Sequence, residues 1–265
     1  MAVSTALKIY RKPRIRNARL VLAWGSIGDM YVEAGIEALT YLKDKLGAQP
    51  LAEIEPYDFF NPFIEVEKGL LSEPLFPQSL FYSWNNPKGD GLILFLADRE
   101  PVFKRYEYAR LVLKVAEQFR VSGLYFVSAF PTLISHNAEP RVLGVTNEAR
   151  LVPYLEQCGV ALLAEKALIS MNGSMLGLAR QRKLSGIYLL GEVPSYAADR
   201  PNPKSCKAIL QTLTAMLGVS LDLAEFDPLI KEAEAEMDEE VKEASRAFLE
   251  DFTVDYRDFF EEENQ

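Results

Sequence analysis

The chain has 265 residues, 49% of them hydrophobic and 25% charged, with a net charge of −9. That length suits one large α/β domain with appendages, and the balance is that of an ordinary globular protein. No apolar run reaches the roughly 18 residues of a membrane helix, the N-terminus lacks the h-region of a signal peptide, and the two cysteines, Cys158 and Cys206, match no metal spacing. Two separate thiols indicate a cytoplasmic protein.

The charge is unevenly placed. Residues 1–19 carry six cations and no acid, whereas residues 224–265 carry 16 acids against four cations. A basic arm of this kind can touch nucleic acid. Pairing with the acidic tail, or a solvated arm, is the better reading, and no nucleic-acid or membrane partner is expected. Leu7–Ile15 reads as an edge strand or an arm, because Pro13 argues against a central strand. Leu20–Trp24 is an apolar strand. Gly25-Ser26-Ile27-Gly28-Asp29 then turns into a helix with Met30, Ala34, Ala38, Leu42 and Leu46 at helical spacing, ended by Gly47. Gly25 and Gly28 serve a tight turn; a phosphate loop would need a different spacing and a lysine. Leu51–Ile54 is the next strand. Residues 61–90, rich in Pro, Asn and aromatics, read as a β-rich insertion pairing Ile64–Val66 with Phe76–Trp84.

Gly91–Ala97 is the most apolar run and reads as a central strand, since buried parallel strands show no alternation. Tyr106–Phe119 is a helix with Ala109, Val112, Leu113 and Ala116 inward. Gly123–Ala129 and Arg141–Thr146 are strands; His136 lies in an exposed loop between them, and Asn147 caps a helix through Leu151–Cys158. Leu168–Met171 reads as a buried strand. Asn172-Gly173 reads as a sharp turn tolerant of positive φ, and Ser174 opens a short helix ending in Arg180, Arg182 and Lys183. Ile187–Leu190 is a strand ended by Gly191-Glu192, completing a βαβ unit with a parallel sheet and right-handed crossover. Lys204–Leu217 is a helix stopped by Gly218, and one or two exposed acidic helices follow.

Sites in open α/β sheets lie beyond the carboxyl ends of strands, so Gly25, Gly28, Asn172, Gly173, Gly191 and Glu192 are the candidate ligand cleft. Glu192 can serve as acid, base or ligand hook, or bind backbone N–H groups. Asn172 can touch a ligand or supply the turn. One histidine and two distant cysteines supply neither a hydrolytic triad nor a zinc site. Arg99, Arg141 and Arg200 lie near strand or loop ends, but no spacing converges them on a phosphate. No catalytic residue, cofactor or metal is assigned.

Taken in order, Trp24-Gly25-Ser26-Ile27-Gly28, Ala52-Glu53-Ile54-Glu55-Pro56 with Phe59-Phe60, Glu100-Pro101 with Tyr106-Glu107, Asn172 to Ala179, and Gly186 to Pro194 resemble the archaeal and bacterial relatives of the proteasome assembly chaperone family, second-chaperone branch. The resemblance covers residues 19–223. It implies a three-layer α/β/α sandwich of the phosphorylase or hydrolase kind around a mixed, mostly parallel sheet, a tendency to self-associate, and no catalytic residue. Family members tied to the proteasome often end in a hydrophobic-Tyr-any tripeptide. This chain ends Glu263-Asn264-Gln265, so docking on a proteasome ring is not expected. The organisation expected is a basic arm at 1–18, the α/β body at 19–223 with the 61–90 insertion, and an acidic helical extension at 224–265. The function expected is a non-catalytic assembly factor. It forms a homo-oligomer, with a trimer placed ahead of a dimer, through Phe63, Phe76, Phe81, Tyr82 and Trp84. The alternative is a small-molecule enzyme or binder of nucleoside-phosphorylase or hydrolase type, using a cleft near Asn172 and Glu192.

Overall fold

The computed structural model describes residues 6–25, 33–87, 89–163 and 170–262, with side chains through Arg246. The strands are β1 Leu7–Ile9, β2 Arg19–Trp24, β3 Gln49–Ile54, β4 Val66–Glu67, β5 Leu70–Leu71, β6 Ser79–Trp84, β7 Leu92–Ala97, β8 Gly123–Thr132, β9 Val142–Thr146, β10 Ala161–Leu162 and β11 Gly186–Pro194. The helices are α1 Ala34–Lys45, α2 Arg105–Gln118, α3 Val152–Gln157, α4 Met171–Gln181, α5 Pro203–Leu217 and α6 Phe226–Glu262.

Nine strands form one mixed sheet in the order β1-β3-β6-β7-β2-β8-β11-β9-β10. Its centre, β7-β2-β8-β11, is parallel. Those strands are apolar on both faces because both are covered. Leu20, Leu22 and Trp24 share one core with α2 and α4, while Val21 and Ala23 share the other with α1 and α5. This is the expected α/β/α layering. The inward residues read for the second helix, Ala109, Val112, Leu113 and Ala116, are all buried. Gly47 and Gly218 take positive φ where they end α1 and α5, as C′ glycines do.

Several expectations change. Leu168 and Ile169 lie outside the described residues, and Ser170-Met171 do not continue a strand. Ser170 is the N-cap of α4, its Oγ accepting from the Gly173 N–H at 3.2 Å. Asn172 and Gly173 therefore sit in the first turn of α4, and Gly173 is not among the positive-φ glycines. The parallel partner of β11 is β8 and its other neighbour is the antiparallel β9, so Ser170-Met171 form no strand beside it. β11 runs on to Pro194, which puts Gly191 and Glu192 inside the strand rather than past its end.

The insertion also divides differently. β4 pairs only with β5, closed by the Phe63–Leu75 bridge, while Ser79–Trp84 joins the main sheet between β3 and β7. Its alternation of buried and half-buried residues suits a strand covered unequally on its two faces. The basic arm supplies edge strand β1. There Lys8 pairs with Glu53 and Glu55 of the neighbouring segment, and Arg19 at the start of β2 pairs with Asp90, so these cations meet body acids rather than the tail. The tail is one long helix, α6. It packs on α5 and is fastened to the body by Lys204–Glu234, Lys207–Asp227 and Arg200–Glu240 pairs.

Candidate functional site

Gly25 closes β2 where it nearly touches the end of β7. A Cβ there would lie 2.1 Å from the Asp98 carbonyl oxygen. Gly191 serves α5 in the same way: a Cβ would come within 2.7 Å of Ser205 and Ile209 side-chain atoms. Both positions need glycine for close packing. Gly28 and Met30 lie outside the described residues. At the start of α4 two of the free N–H groups that attract anions are met from within the chain. Ser170 takes the Gly173 N–H, and Glu100 Oε1 accepts from the Met171 N–H at 3.0 Å. The other oxygen of Glu100 accepts from Arg105 at 2.7 Å.

Asn172 is 4% exposed. Its side chain lies near the Tyr188 hydroxyl, together with Ser128 and Ser170. Burial pushes the Tyr188 phenol up, and these polar neighbours only partly offset it. The Asn172 Oδ1 is buried with no partner among the described residues.

Glu192 is elsewhere in the hydrogen-bond network. It is 2% exposed and gripped by Arg141, whose Nη2 reaches Oε1 at 2.7 Å while its Nε and backbone N–H both reach Oε2 at 3.0 Å. These bonds hold the carboxyl below the usual carboxylate range against the opposing effect of burial. An ionised carboxylate saturated by a fork-shaped donor is a poor general acid and a hindered base.

His136, expected in an exposed loop, is 8% exposed. Its Nε2 lies 2.9 Å from Asp238 of α6, and its Nδ1 lies 2.7 Å from the Tyr196 hydroxyl, which also accepts from the His136 backbone N–H at 2.8 Å. The hollow beside it, lined also by Glu192 and Met237, measures about 20 Å³. That is room for one water. The His136 cluster therefore works as a fastening for α6.

Arg99, Arg141 and Arg200 do not converge. Arg99 lies over the Phe63 ring at 4.1 Å, Arg141 holds Glu192, and Arg200 holds Glu240. The side chains an enzyme of phosphorylase type would gather are each engaged in separate structural pairs.

The aromatic residues of the insertion also separate. Phe81 is fully buried in the chain's own core against Phe95, so it cannot face a partner. Tyr82 and Trp84 are half-buried on β6, and Phe76 stands edge-on to Tyr57. Phe63 is exposed, and it belongs to a larger apolar surface that the aromatic content alone did not reveal. On the hairpin Ile64, Val66, Leu70, Leu71 and Leu75 are exposed, with Leu70 at 75% and Leu71 at 73%. Arg99 stacked on Phe63, and the Val102 and Phe103 N–H groups donating to the Phe59 carbonyl, join the hairpin base to exposed Val102, Phe103 and Tyr106. The signal in sequence was aliphatic: Ile64, Val66, Leu70 and Leu71 flank Lys68-Gly69, a two-residue turn.

The fold and sequence have clear relatives. An uncharacterized protein of Methanocaldococcus jannaschii, MJ1210, is 22% identical over 218 residues, covering 82% of this chain and 80% of that one. PbaB of Pyrococcus furiosus, described as an archaeal proteasome activator, superposes with a TM-score of 0.70 at 24% identity, over 89% of this chain and 98% of that one. The Mycobacterium tuberculosis proteasome-assembly chaperone homologue Rv2125 gives 0.71 at 20% identity, over 83% and 94%. The sequence profile of the PAC2 family matches residues 21–244, and the chain belongs to that family.

Proposed function

We propose that this protein is a non-catalytic assembly factor that self-associates through its hairpin surface and, as an oligomer, holds other polypeptides during assembly of a larger complex. The observation that carries the reading is the apolar set on β4, β5 and the 99–106 loop. Contiguous exposed apolar surface of this kind marks interaction sites. Relatives described as a proteasome activator and a proteasome-assembly chaperone homologue support the class of role. The saturated Glu192 and the diverging arginines weigh against the phosphorylase-like alternative. The body, residues 19–223, carries the surface, with the 1–18 arm and the 224–265 extension flanking it. Free Cys158 and buried Cys206 fit a reducing compartment, so the proposed setting is cytoplasmic.

The occupant of the surface is a second copy of the chain, with a trimer ahead of a dimer. Full burial of a leucine side chain contributes about 1.5–3 kcal/mol, so replacing two removes on the order of 3–6 kcal/mol of gross association energy. That is about a 100-fold loss of affinity or more. The test is light scattering at micromolar concentration of wild type, of Leu70→Asp with Leu71→Asp, and of Trp84→Ala. An oligomeric wild type and a dispersed, still folded double variant are expected. A monomeric wild type rejects the reading. An oligomer that loses nothing in the double variant but dissociates in Trp84→Ala moves the interface from the hairpin to β6.

A further inference from the structure

The sheet has a second notable end. Because β2, β8 and β11 are parallel, their first residues share one edge, opposite the end of β7 from which the 99–106 loop departs. A cleft of about 400 Å³ opens there, lined by Arg19, Ser122, Tyr125, Arg150, Tyr154 and Ser185 among others. That volume lies within the range of small-molecule sites, about 300–1,000 Å³. In a chain of net charge −9, its lining holds two guanidinium groups and no carboxylate. The other clefts described in the structure each carry at least two carboxylates, such as Glu192 with Glu234, or Glu33 with Asp98.

Each guanidinium group is paired with a carboxylate outside the lining and bonded to a hydroxyl within it. Arg19 donates to the Tyr125 hydroxyl at 2.7 Å and to Asp90 at 3.1 Å, and its Nε finds no partner among the described residues. Arg150 bonds Glu148 and donates to the Ser185 Oγ at 2.8 Å. Asp90 and Glu148 thus orient the cations without themselves lining the cleft. Planar, pre-oriented guanidinium groups match phosphate oxygens, whereas the hydroxyls of the lining are engaged within the chain: Ser122 with the Ala18 carbonyl, Ser185 with Glu148, Tyr125 with Arg19 and Tyr154 with the Met216 carbonyl.

We infer that this cleft binds a small phosphate monoester, its phosphate between Arg19 and Arg150. The site is independent of the hairpin surface, so either proposal can fail alone.

Titration calorimetry of the full chain with AMP tests it, with adenosine and inorganic phosphate as separate probes. Saturable AMP binding is expected, with phosphate competing and adenosine at least tenfold weaker. Arg150→Ala should weaken AMP at least tenfold; its side chain is 70% exposed, so the fold should persist. Arg19→Lys should do the same, and Arg110→Ala, exposed on α2 and outside the cleft, should not. No saturable binding at millimolar AMP, adenosine binding as tightly as AMP, or affinity indifferent to Arg150→Ala in a protein with wild-type melting would each overturn the assignment.

Discussion

Two helix glycines of opposite character allow a sharp test of how α1 is seated. Gly35 lies in the first turn of α1, against the middle of β8. A Cβ added there would sit 2.4 Å from the Ser128 Cα, 2.8 Å from its N and 2.9 Å from its C. Non-bonded carbons are best at about 3.5–4.0 Å, so α1 would have to retreat by about 1 Å. It cannot do so freely, because Ala34, Ala38, Leu39 and Leu42 are buried on the same face. Overpacking of this kind costs about 1–3 kcal/mol, while alanine regains at most about 1 kcal/mol over glycine in helix propensity. Because the clash is with β8 backbone, which cannot rotate away, the overpacking cost lies at the upper end, about 2–3 kcal/mol; the net loss for Gly35→Ala is then about 1–2 kcal/mol, a fall in Tm of about 2–8 °C for a chain of this size. Gly177, exposed in the middle of α4, has nothing within 4 Å of its added Cβ. Gly177→Ala should therefore gain about 0.5–1 kcal/mol. Thermal melts and urea titrations of both variants measure the pair. A Gly35→Ala protein as stable as wild type, or one that shifts in the same direction as Gly177→Ala, would refute the close seating of α1 on β8.

The Glu192–Arg141 pair makes a pH-dependent contribution. The Glu192 carboxyl is held below its usual range, so its stabilising effect is fully present above the unfolded-state value of about 4.3 and is lost as pH falls through the lower folded-state value. Wild type should exceed Glu192→Gln in urea midpoint at pH 7, and the gap should close as acid is added below about pH 4; a gap that widens toward low pH would contradict this. Asn147, expected to cap a helix, instead ties three segments: its Nδ2 donates to the Leu176 and Leu184 carbonyls at 3.1 and 2.9 Å, and its Oδ1 accepts from the Gly186 N–H at 2.9 Å. Asn147→Ala leaves those backbone groups unmet and should cost about 1–3 kcal/mol; an unchanged urea midpoint would show that water replaces the side chain easily.

Much of the architecture was legible because the central strands and helices carry their own periodicity. Leu92–Ala97 and Leu20–Trp24 are apolar at every position, which only a strand covered on both faces requires, and α2 shows its buried stripe at 3–4 residue spacing. Chain punctuation was equally local: Gly47 and Gly218 end their helices because a left-handed residue is needed there. Residues 170–173 misled because Ser170-Met171, following the apolar Leu168-Ile169 in the sequence, fit a strand end and a helix start equally well. The deciding signal was Ser170 ahead of Met171, Met175 and Ala179, a cap followed by helical spacing. The candidate cleft was less legible than the fold. Gly191 and Glu192 looked like a strand end because apolarity stops at Leu190, yet β11 continues: β8 and β9 hydrogen-bond its backbone on both sides, and Arg141 neutralises the buried carboxylate.

Composition and hydrophobic pattern by themselves determined the α/β class, the core strands, and the split between a basic start and an acidic helical end, because each follows from residues close in sequence. Only the tertiary structure decided that Phe81 is core while Leu70 and Leu71 are surface, that His136 is buried under α6, and that Arg19 and Arg150 border one cleft. Those outcomes depend on which distant segments meet. Burial, pairing and the partner of a charge belong to the pair of segments rather than to either one, and local pattern does not encode them.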